Sequence, residues 1–195
     1  MLAAGEKLMA YPFSGYWKDV GTIDSLWEAN MDILGDDPVL KFATDGWRVL
    51  SRHDNAPPQY LGAHAVVENA SVTEGCEILG TVKNSVLGEN VRVMEGATVT
   101  DSVIMGECVI REGATVEYAI IDRETEVGKG ARVGEPRAAG HGIAVLGTGV
   151  RVAENAVVGK NAVVGARPEE IEQKDEWGVA VIGDNIKIGA GAVVP

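Results

Sequence analysis

The side chains able to do chemistry are few and unevenly placed. Near the start of the chain, Gly15–Thr22 reads GYWKDVGT and sets Lys18 beside Asp19 between two glycines. A carboxylate such as Asp19 suits a hard divalent cation, and an ammonium such as Lys18 suits an anion. Taken alone, Asp19 reads first as an ordinary carboxylate approaching a helix with no ligand, and Trp17 and Lys18 read equally as packing and surface charge. Histidine occurs three times, at His53, His64 and His141. Only His141 lies in a glycine-flanked interruption, where an imidazole can serve as a general base or stand free in solvent. Arg48, Arg52, Arg137, His141 and Arg167 are the cations placed near interruptions or near the linker. They suit phosphate-bearing anions and read otherwise as solvated charges. Cys76 and Cys108 fall at the same place in their repeats, and buried free thiols are the expected reading.

Most of these residues hang on one repeating pattern. Aliphatic residues return every sixth position at Leu146, Val152, Val158 and Val164, each followed by a small residue. The same rhythm runs through Val67, Thr73 and Leu79, then Leu87, Val93, Val99, Met105 and Arg111. It continues at Ile121, Val127 and Val133, and returns at Ile182, Ile188 and Val194. Period six matches neither a helix nor an alternating strand; it is the signature of a parallel β-helix of stacked coils. Two steps are longer than six. They predict corner loops near Val82–Ser85 and Glu117–Ala119, with the register at Thr73 and Arg111 left open. Two larger interruptions, Glu135–Ala144 and Ala166–Ala180, are candidate binding loops, since insertions in such solenoids cluster on one face.

Aromatic residues divide the chain. Seven of them, from Tyr11 to Trp47, precede residue 50, and only Tyr60, Tyr118 and Trp177 follow. A narrow coil rejects bulky rings, so the coils are expected over 63–195, after a proline-containing linker at 36–62 with little structure of its own. Residues 1–35 predict the end of a helix at Met1–Met9 and a strand at Ala10–Phe13. A second helix is expected over Ile23–Leu34, capped by Thr22 or Asp24 and stopped by Gly35. The net charge of −12 argues against nucleic acid and anionic membrane surfaces as partners. No apolar run reaches the roughly 20 residues of a membrane span, and no signal peptide opens the chain. Unpaired thiols then point to a cytoplasmic protein.

The run YPFSGYWKDVGT, followed by IDSLWEANMDIL, resembles the end of the catalytic domain of sugar-nucleotide pyrophosphorylases, most closely bacterial glucose-1-phosphate adenylyltransferases. The later runs TVKNSVLGENVRV, DSVIM and EYAIID resemble the coil domain of the same enzymes. The resemblance implies a mainly β fold, a left-handed parallel β-helix preceded by a short α/β remnant of the nucleotidyltransferase domain. It implies a parent reaction in which ATP and glucose 1-phosphate give ADP-glucose and pyrophosphate with Mg²⁺. Asp19 would be one metal ligand, with Trp17 and Lys18 beside the substrate. It further implies a homotetramer answering to sugar-phosphate or AMP effectors, for which Arg48, Arg52, Arg137, His141 and Arg167 are the candidates. The family's glycine-rich nucleotide loop is not in this sequence, so the chain is expected to be an inactive piece of a longer protein, cut at both ends. The alternative is a hexapeptide acyltransferase using His141 against a coenzyme A thioester.

Overall fold

The computed structural model describes residues 4–5, 7–44, 47–48, 55–138 and 142–165, and the strand pairs at 181–182, 187–188 and 193–194. Its body is the expected left-handed parallel β-helix. Short strands of two or three residues form three parallel sheets of seven strands each. The first face begins at Tyr60–Leu61, three residues before Ala63, and climbs through Glu77–Ile78, Arg92–Val93, Val109–Ile110 and Glu126–Val127 to Arg151–Val152. The second face runs from Val66–Glu68 through Thr81–Lys83, Thr98–Thr100 and Thr115–Glu117 to Arg132–Gly134 and Val157–Val158. The third runs from Ser71–Val72 through Val86–Leu87, Val103–Ile104 and Ala119–Ile121 to Ala144–Leu146 and Val163–Val164. Val181–Ile182, Lys187–Ile188 and Val193–Val194 add one strand to each face.

Each inward residue stands on its counterpart one coil below. On the first face the column is Leu61, Ile78, Val93, Ile110, Val127 and Val152. From Ile78 on, these side chains are buried. Each coil's backbone donates to the coil above along the strands, as in Val109 N to Thr125 O at 3.0 Å, and left-handed corner residues donate to the coil below, as in Asn84 N to Glu68 O at 3.0 Å. Small residues line the corners in columns of their own. Ala97, Ala114, Ala131 and Ala156 stack at one. At another, Ser85 and Ser102 are buried, and each hydroxyl donates to a carbonyl two residues back, at 2.6 and 2.7 Å.

From Leu146 to Val164 the expected six-residue steps hold, but in the earlier coils the usual repeat is 17 residues. The first-face column advances by 17, 15, 17 and 17 residues from Leu61 to Val127. In the first four coils the side from the second face to the third takes five residues, as from Val67 to Val72 or Val99 to Ile104, whereas from Val158 to Val164 it takes six. A single residue in the left-handed region turns this corner: Asn69, Asn84, Asp101 or Tyr118, with φ between 45° and 49°. This shortened side corrects the register. Val72, Ile78, Ile104 and Ile110 point inward, where Thr73, Leu79, Met105 and Arg111 were expected. The corner loops expected near Val82–Ser85 and Glu117–Ala119 do not exist. Val82 and Ala119 lie in strands and are fully buried. The 15-residue coil closes at Gly80, where a Cβ would stand 2.4 Å from Ala97 O.

The wide interruption after Arg132–Gly134 is present and leaves the coil at Gly134. Its φ is 77°, and a Cβ there would meet Glu117 O at 1.9 Å. The interruption at 166–180 lies outside the described residues. Ahead of the coils, one helix, α1, spans Ile23–Met31. Thr22 and Ser25 form a reciprocal capping box at its start, and it ends three residues short of the expected Leu34. No strand forms at Ala10–Phe13, and Leu8 and Met9 are exposed outside any helix. The linker carries more order than expected, an antiparallel hairpin pairing Ala43–Thr44 with Trp47–Arg48.

Ile110→Ala removes a fully buried member of the first-face column and should cost ~2–5 kcal/mol. Thr98→Ala, on the solvent side of the second face, should change stability by about 0.5 kcal/mol or less. Urea denaturation of the two variants distinguishes them.

Candidate functional site

The GYWKDVGT stretch is extended, and its side chains part to two sides. Tyr16 and Lys18 turn toward the end of α1. Tyr16 Oη donates to Asp32 Oδ2 at 3.0 Å, and Lys18 Nζ donates to the same oxygen at 2.9 Å. Lys18 also pairs with Glu28 Oε2 at 3.3 Å. Asp32 is the C-cap of α1, an unfavourable place for an anion because the helix dipole is negative there. Lys18 offsets this, and its hydrogen bond holds the Asp32 carboxyl below the usual carboxylate range. The same bond to Asp32 raises the Lys18 ammonium above its ordinary value. Trp17 and Asp19 turn outward. Trp17 is 76% exposed, and the exposed Asp19 accepts from Gly21 N through Oδ1 at 2.9 Å. The sequence thus yields a carboxylate presented on a tight turn, while the neighbouring ammonium is already engaged.

α1 lies against the outside of the third face. Trp27 is 3% exposed and packs with Val103, Ile120 and Ile143, with Ile23, Leu26 and Met31 alongside. Its indole N–H donates to Asp101 O at 2.7 Å. At the far end of the helix, Gly35 N donates to Asn69 Oδ1 at 2.8 Å. Asn69 in turn donates to Asn84 at 2.8 Å, and Asn84 donates to Asp101, so the left-handed corner residues form a side-chain ladder. Tyr118 breaks that ladder. Its ring meets Trp27 edge-on, with centroids 5.1 Å apart.

Among the effector candidates, Arg137 is described, and it is occupied. Its guanidinium lies 4.7 Å from the Trp27 ring centroid and 5.8 Å from that of Tyr118. Burial pushes the Tyr118 hydroxyl up; Asp24 and Glu28 add to this while Arg137 opposes it. The surroundings of Arg137 are therefore aromatic and acidic. Arg48 sits on the second strand of the linker hairpin. Arg52, His141 and Arg167 lie outside the described residues. The Trp27–Tyr118–Arg137 cluster is the feature that sequence reading missed. Once the 17-residue register is known, Tyr118 stands out where Asn, Asn and Asp occupy the equivalent corners.

Cys76 and Cys108 are free and buried. They share a corner column with Val91 between them, which separates them by two coils. Each thiol donates to a backbone carbonyl at 3.0 Å, Cys76 to Gly88 and Cys108 to Asp122. Burial raises both thiols, Cys108 to about 11. Among the described residues, no three His, Cys, Asp or Glu side chains gather as a metal centre, and no helix is long and apolar enough to cross a membrane.

The comparisons with known proteins agree with both halves of this architecture. A nucleotidyl transferase family model matches residues 1–36, and a GlmU-like C-terminal hexapeptide model matches 58–142. Enzymes of Bacillus mycoides and Bacillus anthracis, each titled glucose-1-phosphate adenylyltransferase, are 54% identical over 101 residues. The likeness is to the glucose-1-phosphate adenylyltransferases. The aligned part is 52% of this chain and 27% of each relative. The acetyltransferase domain of PglB from Neisseria gonorrhoeae aligns with a TM-score of 0.46 at 26% identity, over 52% of this chain and 49% of that one.

An alkylating reagent at pH 8 should leave both cysteines of the native chain nearly unlabelled and should label both in denaturant, as read by mass spectrometry. The raised thiols also fix a sign for stability. An unfolded thiol titrates near its ordinary value and the native Cys108 only near 11, so the native state holds more protons between them. Stability is fully present below the ordinary thiol range and falls as pH rises through it. The melting temperature should drop between pH 8 and 10.5, and less so in Cys108→Ala.

Proposed function

We propose that this chain is the C-terminal part of a glucose-1-phosphate adenylyltransferase, supplying oligomerisation and regulation to an enzyme that makes ADP-glucose and pyrophosphate from ATP and glucose 1-phosphate. One observation carries the reading. A segment matched by a nucleotidyl transferase model is joined in one chain to a hexapeptide solenoid, in the setting of relatives bearing that enzyme's title at 54% identity.

The residues present fit such a parent in part. Asp19 offers a hard carboxylate, held on its turn by Gly21 N, and a divalent cation of the Mg²⁺ kind commonly takes one or two carboxylates plus substrate phosphates. Asp19 would hold one position of that ion. The ion, when bound, neutralises phosphate charge during transfer. Lys18 orients rather than binds, because its ammonium is tied to Asp32 and Glu28. Trp17 is left free to face a substrate. Tyr11, Phe13 and Val20 are exposed on the same segment, which supports its packing against the remainder of a nucleotidyltransferase domain. Tyr60, Leu61 and Val66 expose apolar surface at the open end of the coils, which supports subunit contact there and a tetrameric parent.

The sequence holds no glycine-rich phosphate loop, so the chain alone should form no ADP-glucose from ATP, glucose 1-phosphate and Mg²⁺. A longer protein carrying the rest of the nucleotidyltransferase domain should form it, and there Asp19→Asn should lower kcat/KM by ~100-fold or more, beyond the loss typical of outer-shell ligand partners. Turnover by the chain alone, or full activity of the Asp19→Asn protein, would sink the reading.

A further inference from the structure

We propose that Arg137, Tyr118 and Trp27 form a latch that keeps α1 folded against the solenoid and so positions the Lys18–Asp19 turn. Three observations support it. The first is the cost of Tyr118. It adopts φ 48° at a corner where the other coils place Asn69, Asn84 and Asp101, residue types that tolerate this conformation far better than a bulky aromatic does. Strain of this kind persists where surrounding contacts over-determine it. The contacts here are the edge-on Trp27 ring and the Arg137 guanidinium.

The second observation is the weakness of α1 by itself. Nine residues are too few for a stable isolated helix in water, and Trp27 is its sole buried residue. Released from the third face, α1 unfolds. The third observation is what α1 carries. Glu28 lies on the helix and Asp32 caps its end, so the partners of Lys18 are carried by α1, and the Asp19 turn leads directly into its Thr22 cap. A continuous set of contacts therefore runs from the 135–138 segment, through two rings, to the nucleotidyltransferase motif. Arg137 acts as a positioning residue, its guanidinium spent on aromatic faces rather than on an effector anion. The inference relies on the adenylyltransferase reading only for the importance of Lys18 and Asp19.

The test uses the chain itself and needs no nucleotide. Acetylation of Lys18 by acetic anhydride is followed by mass spectrometry, with the exposed Lys7 as internal reference and the melting temperature of each variant as control. Arg137→Ala should raise Lys18 labelling several-fold, toward the level of Lys7. Tyr118→Asn should do the same while leaving the melting temperature unchanged or higher, because Asn suits the corner. Tyr118→Phe keeps the ring and should label as the parent chain does. Unchanged Lys18 labelling in both Arg137→Ala and Tyr118→Asn overturns the latch. A rise in Tyr118→Phe equal to that in Tyr118→Asn, tracking lost melting temperature, overturns it too, because the effect is then general destabilisation. Since no substrate takes part, a failed latch leaves the adenylyltransferase reading intact, and the reverse holds.

Discussion

Every coil must place an aliphatic side chain directly above the one beneath it while its backbone bonds to the backbone beneath. The rest of the molecule follows from this stacking constraint. It admits only Val, Ile, Leu and small residues to the interior, and Ala, Ser, Thr, Cys and Val to the corners. It also demands a left-handed residue at each tight corner, supplied by Asn, Asp, Gly or Glu according to position, and once by Tyr118. Each coil shields its neighbour's hydrogen-bonding edge, so stability is a sum of intrinsic and nearest-neighbour terms. The two thiols belong to this arrangement. They are corner fillers whose burial suppresses their chemistry.

The rhythm of the coils was legible in the sequence because burial forces it on every turn. Its register was less so. Sixfold counting put Thr73, Leu79, Met105 and Arg111 inside, whereas a single left-handed residue on one side of each of the first four coils shortens that side by one residue. That corner is chemically visible as NA, NS, DS and YA at 69–70, 84–85, 101–102 and 118–119, but its meaning depends on knowing which side of the triangle is short. The helix start was legible from Thr22, because capping is local chemistry. The helix end was not, because Ile33 and Leu34 continue the apolar pattern after the backbone has turned away.

The candidate site was legible in one half. Asp19 and Lys18 were singled out by type and spacing, but their opposite orientations arise from Asp32 and Glu28, which a sequence pattern does not bring near. Arg137 was noticed for its charge. Its partners, Trp27 and Tyr118, lie 110 and 19 residues earlier, and neither has any local feature that points to it. Long-range contacts of this sort appear only when the coil register and the docking of α1 are both known.

The two anchors of α1 give the rod a further property. Trp27 is fixed to the carbonyl of Asp101 in the third coil, and Gly35 is fixed to Asn69 in the first. With coils stacked at about 4.8 Å, the segment from Trp27 to Gly35 spans two layers, about 10 Å. It works as a gauge laid along a graduated scale. Adding or deleting a whole coil between those anchors would preserve the solenoid's own packing and yet throw the gauge off by a full graduation. The number of coils beneath α1 is thus set by the helix they carry, while coils above Ala144–Leu146 are free of that restriction.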